Sequence, residues 1–356
     1  MLLQPRGGAL AQSIEDVLDA LPDAMRTSVS SETHSAAVEL TTGVHVSVRD
    51  AIDELGALRE DISGLLHGLD LTAGVAGTHP FAVWDEMVVA PGARHQEVMG
   101  SVRALARREP TFALHVHVGL PDPEVAIRVA NRMRVHLPLL LALSANSPFW
   151  QGRDTGLASA RTPLFQAFPR VGIPRAFADF GEWADIVDLL IRTDTMPDPT
   201  YIWWDVRPQP RFGTIEIRIM DAQSGLDRVG PLVALVQSLA RVEATEGLAP
   251  DLAIHAQEVL DENRFLATRD GVHARFVDPV TAQRIDVAEL LDTVIGVCTP
   301  HAQDLGCADE LARVTDIAAD GADGRQRRLA EERGGLGGLV EALADEFLAA
   351  PAPDPA

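Results

Sequence analysis

The chain is short of cysteine, of positive charge and of long apolar runs, and each shortage closes off a class of protein. Two cysteines, Cys298 and Cys307, in 356 residues form neither a disulfide framework nor the paired spacing of a zinc ribbon, so a reducing cytoplasm is the expected setting. Thirty basic side chains against 52 acidic ones leave a formal charge of −22. That charge argues against nucleic acid or an anionic membrane as the main partner. An anionic substrate such as a nucleotide would need bound cations and a few arginines to meet it. The longest apolar run, Leu137–Leu143, contains Pro138 and is far too short to cross a bilayer. The opening residues, Met-Leu-Leu-Gln-Pro-Arg-Gly-Gly, lack the basic and apolar regions of a signal peptide. A soluble protein is expected.

What is present is a set of polar strand faces. In Phe112-Ala-Leu-His-Val-His-Val-Gly119, His115 and His117 are two apart, so both imidazoles share one face while Leu114, Val116 and Val118 fill the other. Gly213–Met220 repeats the device, with Thr214, Glu216 and Arg218 on one face and Ile215, Ile217 and Ile219 on the opposite one. Ala36–Thr41 carries Glu39 as its lone charge. Taken singly, each is the wet side of an ordinary sheet. Together they predict a concave surface where carboxylate, imidazole and guanidinium groups converge, which points to an enzyme.

Helical spacing appears at residues 10–21 and 47–69, the latter with apolar positions at Val48, Ile52, Leu55, Leu58, Ile62 and Leu65. Residues 31–42 read as strand, and 71–76 as a short buried strand. Asp122-Pro-Glu124 is a helix start, with a cap, a proline in the first turn and an acid at the positive end. That helix is expected to run towards Ser144, kinked at Pro138. Residues 146–182 are irregular and rich in Gly, Pro and Arg, a length of loop that is often functional. Further helices are expected over 181–192 and 229–246. Residues 250–348 read as mostly helical, around a turn-rich insert near 269–284. With 46% apolar residues and no repeat or clean linker, a single α+β domain over 1–350 and a disordered tail over 351–356 are expected.

Several motifs occur in one order. These are Glu32…Val38-Glu39, Gly77-Thr-His-Pro80, His115-Val-His-Val-Gly119 and Leu143-Ser-Ala-Asn-Ser-Pro-Phe-Trp-Gln-Gly152. Asp154-Thr-Gly…Ser159-Ala-Arg161, Trp203-Trp-Asp-Val-Arg-Pro208 and Gly213-Thr-Ile-Glu-Ile-Arg218…Asp221 follow. The ordered set, over residues 1–300, resembles the glutamate–cysteine ligase type 2 family of carboxylate–amine ligases. The resemblance implies a curved, mainly antiparallel sheet forming a funnel backed by helices, similar to the glutamine synthetase catalytic domain. It also implies ATP-dependent joining of a carboxylate, typically the γ-carboxyl of glutamate, to an amine such as that of cysteine, in a possible homodimer.

The residues suit that chemistry. Phosphoryl transfer from ATP depends mainly on position and charge, supplied by Mg²⁺ and arginine. Hard Mg²⁺ prefers oxygen ligands, making Glu32, Glu39 and Glu216 the candidates, with His115 a ligand implied by the family. Arg218, two beyond Glu216, is placed to hold the transferring phosphate. Arg161 is the candidate clamp for a substrate carboxylate, and Asn146 and His117 are candidate substrate or nucleotide contacts. Asn146 equally suits a helix cap. Trp203 and Trp204 read as packing residues, and His79 as an organiser of its loop. Glu32 lies seven residues before Glu39, so a regular strand would turn them to opposite faces. A bulge or a strand start must intervene.

The family opens on a strand with Val-Gly-x-Glu-Glu-Glu, and Met1-Leu-Leu-Gln-Pro5 resembles the segment after it. The expectation is a chain begun one strand late, with fewer metal-binding carboxylates and weak ligase activity. The Arg94-His95 pair also stands where Arg-Tyr is more usual. Two other classes compete. One is a non-catalytic nucleotide or metabolite binder. The other is a zinc-dependent hydrolase built on His115 and His117.

Overall fold

The computed structural model describes residues 1–107 and 110–348; the expected tail over 351–356 lies outside them. The architecture mixes helices with small, mainly antiparallel sheets. Its elements here are α1 (Ile14–Ala20), β1 (Val29–Ser31), β2 (Val38–Leu40), α2 (Val48–Gly68) and β3 (Ala113–Gly119). They continue with α3 (Pro123–Met133), α4 (Leu137–Ser144), α5 (Phe180–Arg192), β4 (Val206–Gln209), β5 (Thr214–Asp221) and α6 (Leu226–Thr245). The last four are α7 (Gln257–Asp270), α8 (Val287–Leu305), α9 (Ala322–Glu332) and α10 (Leu336–Leu348).

The central sheet has three antiparallel strands in the order β4-β5-β3. Its pairing explains the site. Glu216 on β5 stands between Arg207 on β4 and His117 on β3, while Ile215 and Ile217 face Pro208, Val118, Val206 and Val116. Ile215 and Ile217 are fully buried, each worth roughly 1.5–3 kcal/mol. Between Ile217↔Val116 and Met220↔Leu114 the register slips by one residue, a bulge that brings Arg218 and Ile219 opposite the single His115. Without it Asp221, five residues from Glu216, would turn to the apolar face. With it Asp221 pairs Ala113 and joins the polar side.

The helical core sits behind this sheet. All eight residues of α4 are buried, as suits a helix apolar on every side. It packs on β5, α6 and α7, and α6 packs on α2, α3 and α8. Asp122 caps α3 by accepting a hydrogen bond from Val125 N at 2.8 Å. The expected single helix to Ser144 is instead two: α3 ends at Met133 and α4 starts afresh at Leu137, which puts Pro138 in a first turn. Proline is tolerated there and would break a helix interior.

Other expectations change in similar ways. Residues 31–42 are not one strand: β1 and β2 form a hairpin with Ser30 opposite Glu39. Of 71–76 only Thr72–Ala73 is strand, paired with Leu2–Leu3. The stretch 146–182 holds the hairpin Phe149–Trp150 with Arg153–Asp154 and the short helix Arg161–Phe165. It also holds Val171–Gly172, parallel to Trp203–Trp204. The turn-rich insert contains a hairpin, Arg275–Asp278 with Gln283–Asp286. Trp203 packs on Phe168 and Tyr201, and Trp204 on Phe177. Among the described residues no helix is long and apolar enough to cross a membrane.

Candidate active site

All 30 basic residues are arginine, so contacts to carboxylates and phosphates fall to guanidinium groups, which fit both in forked pairs. The polar face of the central sheet shows this. Glu216 Oε2 accepts from Arg207 Nε at 2.7 Å and Gln209 Nε2 at 3.0 Å. Its Oε1 accepts from Arg218 Nη1 and lies 3.9 Å from His115 Nδ1 and 3.8 Å from His117 Nε2. Burial opposes ionisation of Glu216, but the guanidiniums of Arg218 and Arg207 outweigh it and hold the carboxyl well below its usual range. Burial, with Arg218 alongside, keeps His115 neutral, and burial lowers His117 too. His117 Nδ1 meets Thr214 Oγ1 at 2.9 Å, and its ring stands edge-on to the exposed Phe212 at 5.9 Å.

Strand alternation therefore brings His115, His117, Glu216 and Arg218 together as the spacing implies. A zinc ion on the two imidazoles would sit beside Arg218, with Glu216 already shared between two guanidiniums, a poor setting for a dication. Among the described residues no three His, Cys, Asp or Glu side chains are gathered as a metal site.

Glu39 and Glu32 reach the same region by a hairpin rather than a bulge. Glu39 lies on β2 opposite Ser30, whose hydroxyl donates to it at 3.2 Å, and Glu32 lies just past β1. Burial, then the charge of Glu32, raises the Glu39 carboxyl; Ser30 and Arg218 oppose the rise, and Glu216 adds to it. Glu39 thus feels both members of the β5 pair.

Arg161 and Asn146 lie elsewhere than expected. Arg161 is only 5% exposed, and its Nη1 and Nη2 donate to Ile219 O at 3.0 Å and Arg218 O at 3.1 Å. Asn146 spends its side chain on Ala222 O and Gln326, at 2.8 and 2.7 Å. Both serve a buried hub around Asp221. That carboxylate accepts from Asn146 N at 2.9 Å, Ser147 Oγ at 2.6 Å and Ser159 Oγ at 3.0 Å, with Arg161 at 3.6 Å. Gly77 is required there, because a Cβ would meet the Asp221 carboxyl at 2.6 Å. In this arrangement Asn146 and the Nη groups of Arg161 are engaged by the hub, while Arg161 Nε is buried without a hydrogen-bond partner. The motifs read as substrate contacts hold the end of β5.

His79 is an organiser of its loop. It donates from Nε2 to Gly8 O at 2.8 Å and accepts at Nδ1 from Ala82 N at 3.0 Å. Burial lowers its pKa to about 4. Two site residues escaped the sequence reading, Arg207 and Gln209. Their signal is alternation in a strand entering the turn before Gly213, which sets them opposite Glu216 and Thr214. Asp205, two residues before Arg207, pairs with Arg264 at 2.6 Å.

The sequence profile of "Glutamate-cysteine ligase family 2(GCS2)" matches residues 2–342. The "Putative glutamate–cysteine ligase 2-1" of Rubrobacter xylanophilus is 37% identical over 92% of this chain and 87% of its own. A second protein of that organism, 2-3, is 37% identical over 97% of this chain and 94% of its own. Among solved structures, the glutamate–cysteine ligase of Francisella tularensis, in complex with AMP, aligns with a TM-score of 0.71 at 14% identity. That alignment covers 98% of this chain and 87% of the other. A bifunctional glutathione synthetase from Pasteurella multocida aligns at 0.66 and 13% identity, covering 90% of this chain but 48% of its own. At those identities the two structures speak to fold alone. Sequence carries the rest: the chain belongs to glutamate–cysteine ligase family 2, whose enzymes are ligases that form an amide bond.

Proposed function

We propose that the protein is an ATP-dependent carboxylate–amine ligase, a glutamate–cysteine ligase, in which Arg218 on the polar face of β5 steadies the transferring phosphoryl group. The observation that carries this is the charge count of that face. On the strands themselves Arg207 and Arg218 outnumber the single carboxylate of Glu216 and the two imidazoles are neutral, while Glu32 and Glu39 on the neighbouring hairpin are left for a bound cation to offset. The surplus positive charge lies at the more exposed Arg218, in a chain of net charge −22. An anion is what such a place attracts.

Mg²⁺ fits the carboxylates on the hairpin. Glu39 is raised by burial and by Glu32, with Arg218 offsetting only part of it, so added positive charge is favoured between hard oxygen donors. Glu32 and Glu39 would hold the ion, which would neutralise charge on the phosphates. Glu216 has both oxygens engaged by nitrogen donors.

In this reading a γ-carboxylate oxygen of glutamate attacks the terminal phosphorus of ATP, the bridging P–O bond breaks and ADP leaves. The amine nitrogen then attacks the acyl carbon, the C–O bond to phosphate breaks, and the nitrogen loses its proton to solvent. Neutral His115 and His117 can donate hydrogen bonds to bound oxygens without adding charge. The funnel of the glutamine synthetase catalytic domain is the frame proposed for this face, and the buried free Cys298 and Cys307 suit a reducing cytoplasm.

The test is ADP release by purified protein with ATP, Mg²⁺ and glutamate across a panel of amines that includes cysteine. Release that needs both glutamate and one amine is expected. Nucleotide binding without release under any amine would replace the ligase with a nucleotide binder.

A further inference from the structure

Among the described residues the most exposed aromatic side chain is Phe212, at 63%. A lone exposed phenylalanine means little by itself, but this one is held in place. It sits in the turn between β4 and β5, where Phe212 N donates to Gln209 O at 3.0 Å and Gly213 N to Pro210 O at 3.3 Å. Gly213 takes a left-handed conformation, φ +65°, which the tight turn needs and a side chain would resist. Its carbonyl accepts from Leu120 N at 2.9 Å and so ties the turn to the end of β3. The ring of Phe212 is thereby fixed at the rim of the polar face, edge-on to His117 at 5.9 Å. The Arg211 guanidinium lies over the ring, 5.6 Å from its centre, and the remaining surface is open to solvent.

We infer that Phe212 is a platform on which the adenine of ATP stacks, an inference that rests on the ligase reading above and places the far end of its nucleotide. Arg218 leans back along β5 to Glu216, four residues beyond Phe212. At about 3.3 Å per residue, guanidinium and ring are on the order of 13 Å apart, a span that a ribose and a triphosphate chain bridge. A terminal phosphate held at Arg218 therefore delivers the base to the turn. Thr214 and His117, in contact at 2.9 Å, lie along the path of the ribose. Of the substrates in that reading only ATP carries a flat π-face; glutamate and a small amine offer nothing that stacks. A base laid on the open side of the ring buries apolar area on both partners and asks for no movement of the turn.

The experiment measures binding by calorimetry, with MgCl₂ and without glutamate or amine, in wild type, Phe212→Ala and Phe212→Trp. The ligands are ATP and inorganic tripolyphosphate, which keeps the phosphates and lacks the base. Phe212→Ala should weaken ATP by about tenfold or more, the scale of one lost base–aromatic stack, and leave tripolyphosphate unchanged. Phe212→Trp should retain the affinity for ATP. In turnover, Phe212→Ala should raise KM for ATP with little change in kcat, because the base is remote from the reacting phosphorus. A merely structural phenylalanine would weaken both ligands together and lower the melting temperature. That result, or ATP binding that Phe212→Ala leaves unchanged, overturns the inference. The failure of the platform and that of the ligase are separable. If wild type turns ATP over and Phe212→Ala binds it unchanged, the platform falls and the ligase stands. If wild type binds ATP without turnover and Phe212→Ala loses it, the ligase falls and the platform stands. A wild type that binds neither ligand overturns both.

Discussion

Glu216 and Asp221 stand five residues apart on one strand, each facing arginine, and they differ in what surrounds them. Glu216 meets two guanidiniums and two neutral imidazoles, and Arg218 and His117 keep some contact with solvent. Asp221 is fully enclosed, with one guanidinium at 3.6 Å and otherwise neutral donors from Asn146, Ser147 and Ser159. Their acidities part accordingly. Burial raises Asp221 more than Arg161 and its hydrogen bonds lower it, whereas at Glu216 two guanidiniums overcome burial. The count of cations and the access of water, not the presence of an arginine–carboxylate pair, separate a site from a structural hub. The bulge in β5 is what lets one strand carry both.

The sharpest way to break the comparison is to attack each end alone. Asp221→Ala should cost about 3–5 kcal/mol of stability, since it leaves Arg161 buried without its counter-charge. Urea denaturation checks this, and an unchanged midpoint would refute the hub. Arg218→Gln should do the reverse, lowering turnover by about 100-fold or more, the scale of losing one preorganised electrostatic contact. Its melting temperature should stay close to that of the wild type. Equal losses of stability in the two variants would erase the distinction.

Acid acts on both regions. His79, in the packed Gly77–Pro80 segment, has its pKa lowered from 6.5 to about 4. The unfolded histidine takes its proton first, so this contribution is complete above pH 6.5 and is lost as pH falls towards 4. It amounts to about 3 kcal/mol. Glu216 is depressed below its ordinary 4.5, so its contribution is complete above that value and fades only at more acid pH. Stability measured against pH should therefore fall in two windows, the upper one shared with the other buried histidines, so that His79→Gln makes it shallower and Glu216→Gln does the same for the lower. The smallest expected effect is that of Thr214→Val, which removes the hydroxyl meeting His117 Nδ1 at 2.9 Å. A loss of about 1 kcal/mol or less is expected, with a rise in KM for ATP and little change in kcat.

Period-two alternation made the site face legible, because His115, His117, Glu216 and Arg218 needed only pairing to meet. The hub was not legible. Asp221 collects donors from residues 146, 147, 159 and 161, and its face depends on a bulge that no local pattern announces. Arg161 and Asn146 could be seen as motif residues without any sign that the Asn146 amide and the Nη groups of Arg161 were already committed. Residues 31–42 read as one strand that needs a bulge or a strand start to turn Glu32 and Glu39 to one face, and a hairpin meets that parity instead. Arg207 and Gln209 were readable in principle, since a strand running into a tight turn fixes its partners.

The measurement closest to the central claim follows an oxygen atom. Glutamate labelled with ¹⁸O in its γ-carboxylate is supplied with ATP, Mg²⁺ and the accepted amine, and the phosphate released is weighed by mass spectrometry. Activation of the carboxylate by phosphoryl transfer predicts one labelled oxygen in each phosphate, with Arg218→Gln slowing its appearance. Phosphate that carries no label while amide accumulates would contradict the account.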